Sequence, residues 1–326
     1  MKGNIEPRGV IATVSTPFLE NGSIDYESLE REYQWGVDAG LTGFLVPAGA
    51  SEIKYLTKEE QVSLFTTAKK ICGDKLFLMP NLPGPSLEEL VEQAKLYMDL
   101  GADGININTH WSPRKGPEEE FVRMVKAVDE LHPQFLCIQD DDIESITGIP
   151  VELAVRLFNE VESLRAIKCD LGIANKKCTA IKEATNGDMI YYGADESHHS
   201  LEGYDRGMDG LMPTGMFEIF SNIYKLYHEK SREAGAKLFF DSLPCVCFTR
   251  QPGINRPYHK HYMKRIGVFN TTISRDPQDV YDKYTIAYRE EMITNVLTNI
   301  VNANTMPIEP ITLIIRMTSV FSAPHK

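Results

Sequence analysis

Short apolar or β-branched runs alternate along the chain with longer segments that have the period of an amphipathic helix. The first run, GVIATVSTPF, predicts a strand, and the capping-box pairs Thr57–Glu60 and Ser86–Glu89 begin two of the helices. The alternation gives eight strand–helix units between residues 9 and 229. The predicted strands are 9–18, 42–49, 75–81, 103–109, 134–140, 164–170, 188–195 and 209–215, and the predicted helices are 28–40, 57–73, 86–101, 117–131, 150–161, 176–185, 197–206 and 217–229.

Eight such units predict an α/β fold, a (β/α)8 TIM barrel. The alternative, an open doubly wound sheet, usually has a glycine-rich phosphate turn after its first strand. Here that strand ends in Ser15-Thr16-Pro17-Phe18, and the chain has neither G-x-G-x-x-G nor a P-loop. We therefore predict a barrel domain over 8–230 and a C-terminal helical extension over 231–302, and we assign no structure to the tail 303–326. Within the extension, helices are expected at 231–248, 258–267 and 277–302.

The amino-acid composition and net charge limit which kinds of molecule we expect this protein to bind. The 326 residues are 42% hydrophobic and 25% charged, as in an ordinary globular protein. The net charge of −12 argues against a nucleic acid or an anionic membrane as partner. The first ten residues lack the apolar core of a secretion signal, and the apolar runs are too short to span a bilayer. We expect a cytoplasmic location, with the six cysteines reduced.

Catalytic residues of such barrels lie at the C-terminal ends of the strands. Lys168 lies inside the apolar run LRAIKCD, where a buried charge is costly. If its side chain points into the barrel, loss of hydration lowers the pKa of the amine, and a neutral amine forms a Schiff base with a carbonyl. If it points outward, the amine reaches solvent between the helices. The spacing alone leaves both orientations open.

A second candidate site lies after the second strand. The small residues Gly49-Ala50-Ser51 leave backbone N–H groups uncovered, and these groups together with the serine hydroxyl can hold a carboxylate. An ordinary turn between a strand and a helix is the alternative interpretation.

Metal binding is not predicted. The pairs His198-His199 and His259/His261 lack the spacing of a zinc-protease motif. The run Asp140–Asp142 offers carboxylates for a divalent cation, but a solvated loop is the favoured interpretation.

Three segments together resemble the dihydrodipicolinate synthase/N-acetylneuraminate lyase family of Schiff-base (class I) lyases. They are the opening GVIATVSTPFLENGSIDYESLEREYQWGVDAGLTGFLV, the stretch GASEIKYLTKEE and the strand AIKCD, and the resemblance covers roughly residues 8–300. It implies that Lys168 is the Schiff-base lysine. It also implies that no metal or organic cofactor is needed, because the covalent imine to Lys168 supplies the electrophile.

The chain departs from the family pattern at the site. Gly49 and Ala50 replace two hydroxyl residues that bind the substrate carboxylate and relay protons, and Gln139 replaces a tyrosine that relays protons. No residue between Ile143 and Gly148 matches the arginine of the synthases. These departures disfavour a dihydrodipicolinate synthase. The loop Ala50-Ser51-Glu52 is comparable with the F-S-E loop of the 2-keto-3-deoxy-arabonate dehydratases, and the polar Q-D end of strand five also resembles that subgroup.

The expected function is a lyase that dehydrates or cleaves a 2-oxo acid, with a 2-keto-3-deoxy sugar acid as substrate. The alternatives are aldol condensation with pyruvate, as in N-acetylneuraminate lyase or dihydrodipicolinate synthase, and a catalytically degenerate barrel that binds a 2-oxo acid. By the same resemblance we expect a homotetramer, with Trp111 as an exposed aromatic that meets a neighbouring subunit. The expected catalytic residues are Lys168 and Gln139, and the expected substrate-binding residues are Gly49, Ala50, Ser51, His110, Gly193 and Thr214.

Overall fold

The parallel strands of the chain form a barrel. A computed structural model describes residues 6–108, 111, 113, 115–141, 148–170, 174–194, 198–251, 253–276 and 281–301. The strands in chain order are β1 Gly9–Thr13, β2 Gly43–Leu45, β3 Phe77–Met79, β4 Asn81–Leu82, β5 Ile105–Ile107, β6 Leu136–Asp140, β7 Leu164–Cys169, β8 Ile190–Ala194 and β9 Gly210–Met212.

The order across the sheet is β3-β2-β1-β9-β8-β7-β6-β5-β4, and every pairing is parallel. The two outermost segments, β3 and β4, are consecutive in the chain and separated by Pro80 alone. Proline has no N–H for a strand ladder, so one barrel strand is divided there into two segments. The sheet thus closes on itself with eight barrel strands, which confirms the predicted (β/α)8 fold.

Helices connect the strands close to where the sequence places them. Thr57 and Glu60 form the predicted capping box, and the Ser86 hydroxyl accepts the N–H of Glu89. The helices are α1 Tyr26–Asp38, α2 Lys58–Cys72, α3 Leu87–Asp99, α4 Glu118–Asp129, α5 Val151–Glu160, α6 Ala174–Ala184, α7 Ser200–Asp205, α8 Phe217–Lys225, α9 Arg232–Thr249, α10 Asn255–Arg265 and α11 Lys283–Asn295. Short π-helical segments, Leu226–Lys230 and Val296–Val301, follow α8 and α11.

Alternate positions of the strands divide the core into two layers. Ile11, Phe135, Ala166 and Tyr192 belong to a cluster inside the barrel. The residues between them pack against the surrounding helices, as Ile167 does. This alternation decides which strand residues can reach a site at the carboxyl end of the barrel lumen.

The C-terminal helices cover part of the barrel and secure one of its loops. Lys260 of α10 forms a buried ion pair with Glu52, which follows β2. Arg275 contacts both carboxylate oxygens of Glu60 at 2.7 Å. None of the helices in the described part of the chain combines the length and apolar character needed to cross a membrane.

Candidate active site

The side chain of Lys168 faces the barrel lumen. Lys168 lies in β7 two residues after Ala166, which belongs to the inner cluster, whereas Ile167 and Cys169 belong to the outer one. The residue is 5% exposed. The structure therefore selects the inward orientation from the two that the sequence left open.

The amine of Lys168 lies against a carboxylate. Its Nζ is 3.0 Å from Oδ2 and 3.4 Å from Oδ1 of Asp170. Gln139 lies opposite Lys168 in the register of β6 and β7, and its Nε2 donates to the same Oδ2 at 3.0 Å. An amine, an amide and a carboxylate thus meet at the carboxyl end of two neighbouring strands, the place where barrel enzymes carry their catalytic groups.

A chain of side-chain amides extends from this group across the lumen. Asn106 of β5 donates through Nδ2 to Oε1 of Gln139 at 2.9 Å and to Oδ1 of Asn81 at 2.6 Å. Oδ1 of Asn106 and Oδ1 of Asn108 are buried and have no hydrogen-bond partner in the described part of the chain. These oxygens can accept hydrogen bonds from hydroxyl groups of a bound molecule.

The opposite wall of the barrel carries a hydroxyl pair. Oγ1 of Thr13 and Oγ1 of Thr214 are 2.8 Å apart, and both residues are buried. Thr13 also donates to the carbonyl of Pro213 at 3.2 Å. Thr214 is therefore held in place by the end of β1.

The segment Gly49–Ser51 is a single turn of 3-10 helix. The Ser51 hydroxyl is buried, donates to the carbonyl of Val14 at 2.6 Å and accepts the N–H of Ala48 at 3.1 Å. Gly49 is exposed, and neither its N–H nor that of Ala50 has an acceptor among the described residues. Of the donors expected in this turn, the two backbone N–H groups are thus open to a ligand, whereas the hydroxyl supports the turn.

Glu52 fixes the end of this turn. Its backbone is left-handed, with φ 59°. One carboxylate oxygen pairs with Lys260, and the other accepts the N–H groups of Arg275 and Asp276, each at 2.8 Å. Residues far away in the chain therefore hold the turn after β2 in position.

Two of the residues singled out from the sequence, Gly193 and Trp111, do not join this group, and a third is not described by the structure. Gly193 lies in β8, and a side chain there would meet Met208 and Leu211 of the outer layer. His110 lies outside the described residues. Trp111 is only 8% exposed and stacks on Phe121 with ring centroids 5.0 Å apart. The expectation that Trp111 is exposed was wrong, because its ring packs against Phe121 of the same chain.

The two described aspartates at the end of β6 make contacts within the protein. Asp140 points outward and forms a buried ion pair with Lys177 of α6, and it accepts the N–H of Ile149 at 2.9 Å. Burial raises the pKa of Asp140, against the opposing effect of Lys177. Asp141 accepts from Nε2 of Gln139 at 3.1 Å, and Asp142 lies outside the described residues. Within the described ranges, no group of three or more His, Cys, Asp or Glu is placed to hold a metal ion.

Sequence reasoning missed the partner of the lysine. The sequence places Lys168 within an apolar run, and the structure adds the Asp170 carboxylate beside its amine. A signal was present, since residues two apart in a strand share a face, and Asp170 follows Lys168 by two. Asn106 and Thr13 gave no comparable signal, because only the barrel register brings them to the lumen.

Comparison with known proteins identifies the family of the chain. The sequence profile described as "Dihydrodipicolinate synthetase family" matches residues 6–279. A 4-hydroxy-tetrahydrodipicolinate synthase of Thermotoga neapolitana is 24% identical over 241 residues, which are 71% of this chain and 81% of the relative. One from Corynebacterium urealyticum is 26% identical over 201 residues, 60% of this chain and 65% of the relative.

Solved structures share the fold at lower identity. A dihydrodipicolinate synthase from Rhodopseudomonas palustris superposes with a TM-score of 0.80 at 19% identity, covering 89% of this chain and 99% of its own. CdNal from Clostridium difficile, solved in complex with mannosamine, gives 0.79 at 16% identity, covering 89% and 99%. The match to the family profile spans most of the chain, as the resemblance in sequence predicted. This chain belongs to the dihydrodipicolinate synthetase family, a family of Schiff-base lyases of the class I aldolase type.

Proposed function

We propose that this chain is a lyase that binds a 2-oxo acid as an imine on Lys168 and dehydrates or cleaves a 2-keto-3-deoxy sugar acid. The observation that carries the proposal is the lysine amine at the carboxyl end of the lumen, within 3.0 Å of a carboxylate. The imine withdraws electrons from C3, so no metal or organic cofactor is required. Loss of a C3 proton gives an enamine, and the C4 hydroxyl takes up a proton and leaves as water. In the alternative reaction, loss of the C4 hydroxyl proton cleaves C3–C4 and releases an aldehyde. The enamine that remains on the lysine is then protonated at C3 and hydrolysed to pyruvate.

The surroundings of the lysine support a hydroxylated substrate. The open N–H groups of Gly49 and Ala50 suit the substrate carboxylate. The unpartnered oxygens of Asn106 and Asn108 suit the hydroxyl groups farther along the substrate. Gln139 orients the Asn106 amide and the Asp170 carboxylate through hydrogen bonds. It does not itself carry protons, because an amide does not titrate. His110 and Thr214 remain candidates for substrate contacts because they lie at the ends of predicted strands, and Gly193 remains one through its backbone alone.

A panel of 2-keto-3-deoxy sugar acids tests the proposal. Pyruvate with an aldehyde indicates cleavage, whereas a dehydrated 2-oxo acid without aldehyde indicates loss of water. Dihydrodipicolinate synthase activity with pyruvate and aspartate semialdehyde, and N-acetylneuraminate cleavage, belong in the same panel, since the named relatives are synthases. Turnover of either of these two substrates, with none of the sugar acids consumed, would contradict the proposed substrate class.

A second candidate is a binding barrel without turnover. The observation that favours it is Gln139 at the position of the family's tyrosine. Pyruvate binding by calorimetry, combined with no product from any member of the panel, would select this candidate.

The assembly is proposed on the family resemblance alone. We expect a cytoplasmic homotetramer. The buried Trp111 gives no support for it. Sedimentation at micromolar concentration tests it, and a monomer would contradict it.

A further inference from the structure

We propose that Asp170 is the acid–base group of this site. In this proposal it takes a proton from the Lys168 ammonium and returns protons to the oxygen of the carbinolamine. The inference rests on the proposed function, because it assigns the proton transfers of Schiff-base formation. Asp170 takes the proton-transfer role of the family's tyrosine, which Gln139 replaces here. Gln139 cannot perform it, since a carboxamide cannot exchange a proton near neutral pH as a carboxylate can.

The position of Asp170 suits this role. Its carboxylate contacts the reacting nitrogen at 3.0 Å and 3.4 Å, which is within proton-transfer reach. The Asp170 side chain is only 9% exposed, so water competes little for the proton. The Gln139 amide donates to the same carboxylate oxygen and holds it toward the lysine. Gln139 is therefore a positioning residue for Asp170.

The hydroxyl groups of Ser51 and Thr214 are less suited, because each already forms a hydrogen bond within the protein. The Ser51 hydroxyl donates to the carbonyl of Val14, and the Thr214 hydroxyl is 2.8 Å from that of Thr13. The Asp170 carboxylate, in contrast, contacts the Lys168 amine directly, at 3.0 Å.

The proton transfers balance without an added reagent. The ammonium gives one proton to the carboxylate, and the free amine attacks C2 while the carbonyl electron pair moves to oxygen. The carboxylic acid protonates that oxygen, and the carboxylate formed removes a proton from the nitrogen, which leaves a neutral carbinolamine. The acid then protonates the hydroxyl, water leaves, and the nitrogen lone pair forms the iminium. The site ends as it began, with one positive nitrogen and one negative carboxylate.

The rate of adduct formation tests the role. Protein at saturating pyruvate, or 2-oxobutyrate, is quenched with borohydride at timed intervals, and the mass shift of the reduced adduct is measured. We expect Asp170→Asn to slow adduct formation at least about 100-fold, the lower range for loss of a general acid–base group. Asp170→Glu should retain an intermediate rate, because it keeps a titratable group on a longer arm.

Chemical rescue separates proton transfer from a structural role. Formate, a small carboxylate, should raise the rate of Asp170→Ala at least tenfold and leave Asp170→Asn unchanged, because asparagine fills the space. The matched control is Asp241→Asn, which removes an exposed aspartate 2.7 Å from Lys237 and should keep the wild-type rate. If Asp170→Asn does not fold, the rescue of Asp170→Ala decides the question.

The outcomes distinguish the two proposals. A wild-type protein that forms no adduct with either acid contradicts the proposed lyase. A wild-type protein that forms the adduct, with Asp170→Asn equally fast or faster, overturns the role of Asp170 and leaves the lyase standing. Failure of formate to accelerate folded Asp170→Ala overturns it as well.

Discussion

Lys260 and Glu52 form a buried ion pair, although 208 positions separate them in the chain. Lys260 belongs to α10, whereas Glu52 ends the turn after β2. Burial lowers the pKa of Lys260, and Glu52 opposes that shift by favouring the charged amine. The C-terminal helices thus hold the turn where we place the substrate carboxylate.

Breaking this pair should destabilise the protein. Lys260→Met leaves the Glu52 carboxylate buried without its cation, and such a loss costs about 3–5 kcal/mol. The double variant Lys260→Met/Glu52→Gln removes the uncompensated charge and should recover about half of the loss or more. Urea unfolding of the two variants measures both effects. Equal stability of Lys260→Met and wild type would show that the pair contributes nothing.

Ser51→Ala distinguishes support of the turn from contact with substrate. The variant removes the partner of the Val14 carbonyl and of the Ala48 N–H, both in the buried part of the turn. We expect a loss of about 1–3 kcal/mol in the free energy of unfolding. A raised KM should follow from the loosened turn. Unchanged unfolding together with a raised KM would instead place the hydroxyl on the substrate.

Glu218 makes stability depend on pH. It is buried, accepts a hydrogen bond from the Tyr262 hydroxyl, and burial raises its pKa from 4.5 to about 6. Because the folded state binds this proton more tightly than the unfolded state, the contribution is complete below pH 4.5 and is lost as pH rises through about 6. The difference corresponds to about 2 kcal/mol.

Glu218→Gln isolates this effect. Glutamine still accepts the tyrosine hydrogen bond but has no charge to bury. The stability of the variant relative to wild type should therefore rise by about 2 kcal/mol between pH 4.5 and pH 7.5. Urea unfolding at the two pH values measures this change. A difference independent of pH would mean that Glu218 does not titrate as described.

The cysteines differ in access to reagents. Five of the six are buried, and Cys247 is exposed. Burial raises the pKa of Cys72 to about 12 and the pKa values of Cys178 and Cys245 to about 11, which makes their thiolates scarce. We expect Ellman's reagent to modify one thiol in the native protein, at Cys247, and all six in denaturant. Cys247→Ser should abolish the native reaction, and rapid modification of several thiols would contradict the described burial.

Much of the fold could be predicted because the period of the sequence changes with each element. The third barrel strand was predicted as continuous over 75–81, and the structure divides it at Pro80 into β3 and β4. The long helix predicted over 277–302 overlaps α11, although 277–280 lie outside the described residues. These differences concern the ends of elements, where local signals are weak.

The site was less predictable because the strands are buried on both faces. Every residue of β7 is buried, so its sequence shows no alternation of apolar and polar positions that would orient Lys168. The family resemblance aligned Lys168 with the family's Schiff-base lysine and Gln139 with its tyrosine. It did not point to Asp170, for which the spacing of two residues from Lys168 was the available signal in the sequence.

Three other lysines serve as comparisons for selective imine formation at Lys168. Lys177 and Lys260 form buried ion pairs with Asp140 and Glu52, and the partly buried Lys182 pairs with Asp209. Burial lowers the pKa of Lys182 to about 8, so its amine is also a potential nucleophile. However, it donates to the carbonyls of Gly187 and Met189, before β8 begins and at the opposite end of the barrel from the site.

The most direct test is to identify the lysine that carries the imine. The protein is incubated with pyruvate or another 2-oxo acid, reduced with borohydride, digested and analysed by mass spectrometry. We predict that the reduced adduct lies on Lys168 and on no other lysine. Lys168→Arg, which keeps the charge but cannot form the imine, should fold and lose both adduct and turnover, and Lys168→Ala should also fold. An adduct on Lys182 or elsewhere, or substantial activity of Lys168→Arg, would contradict the account.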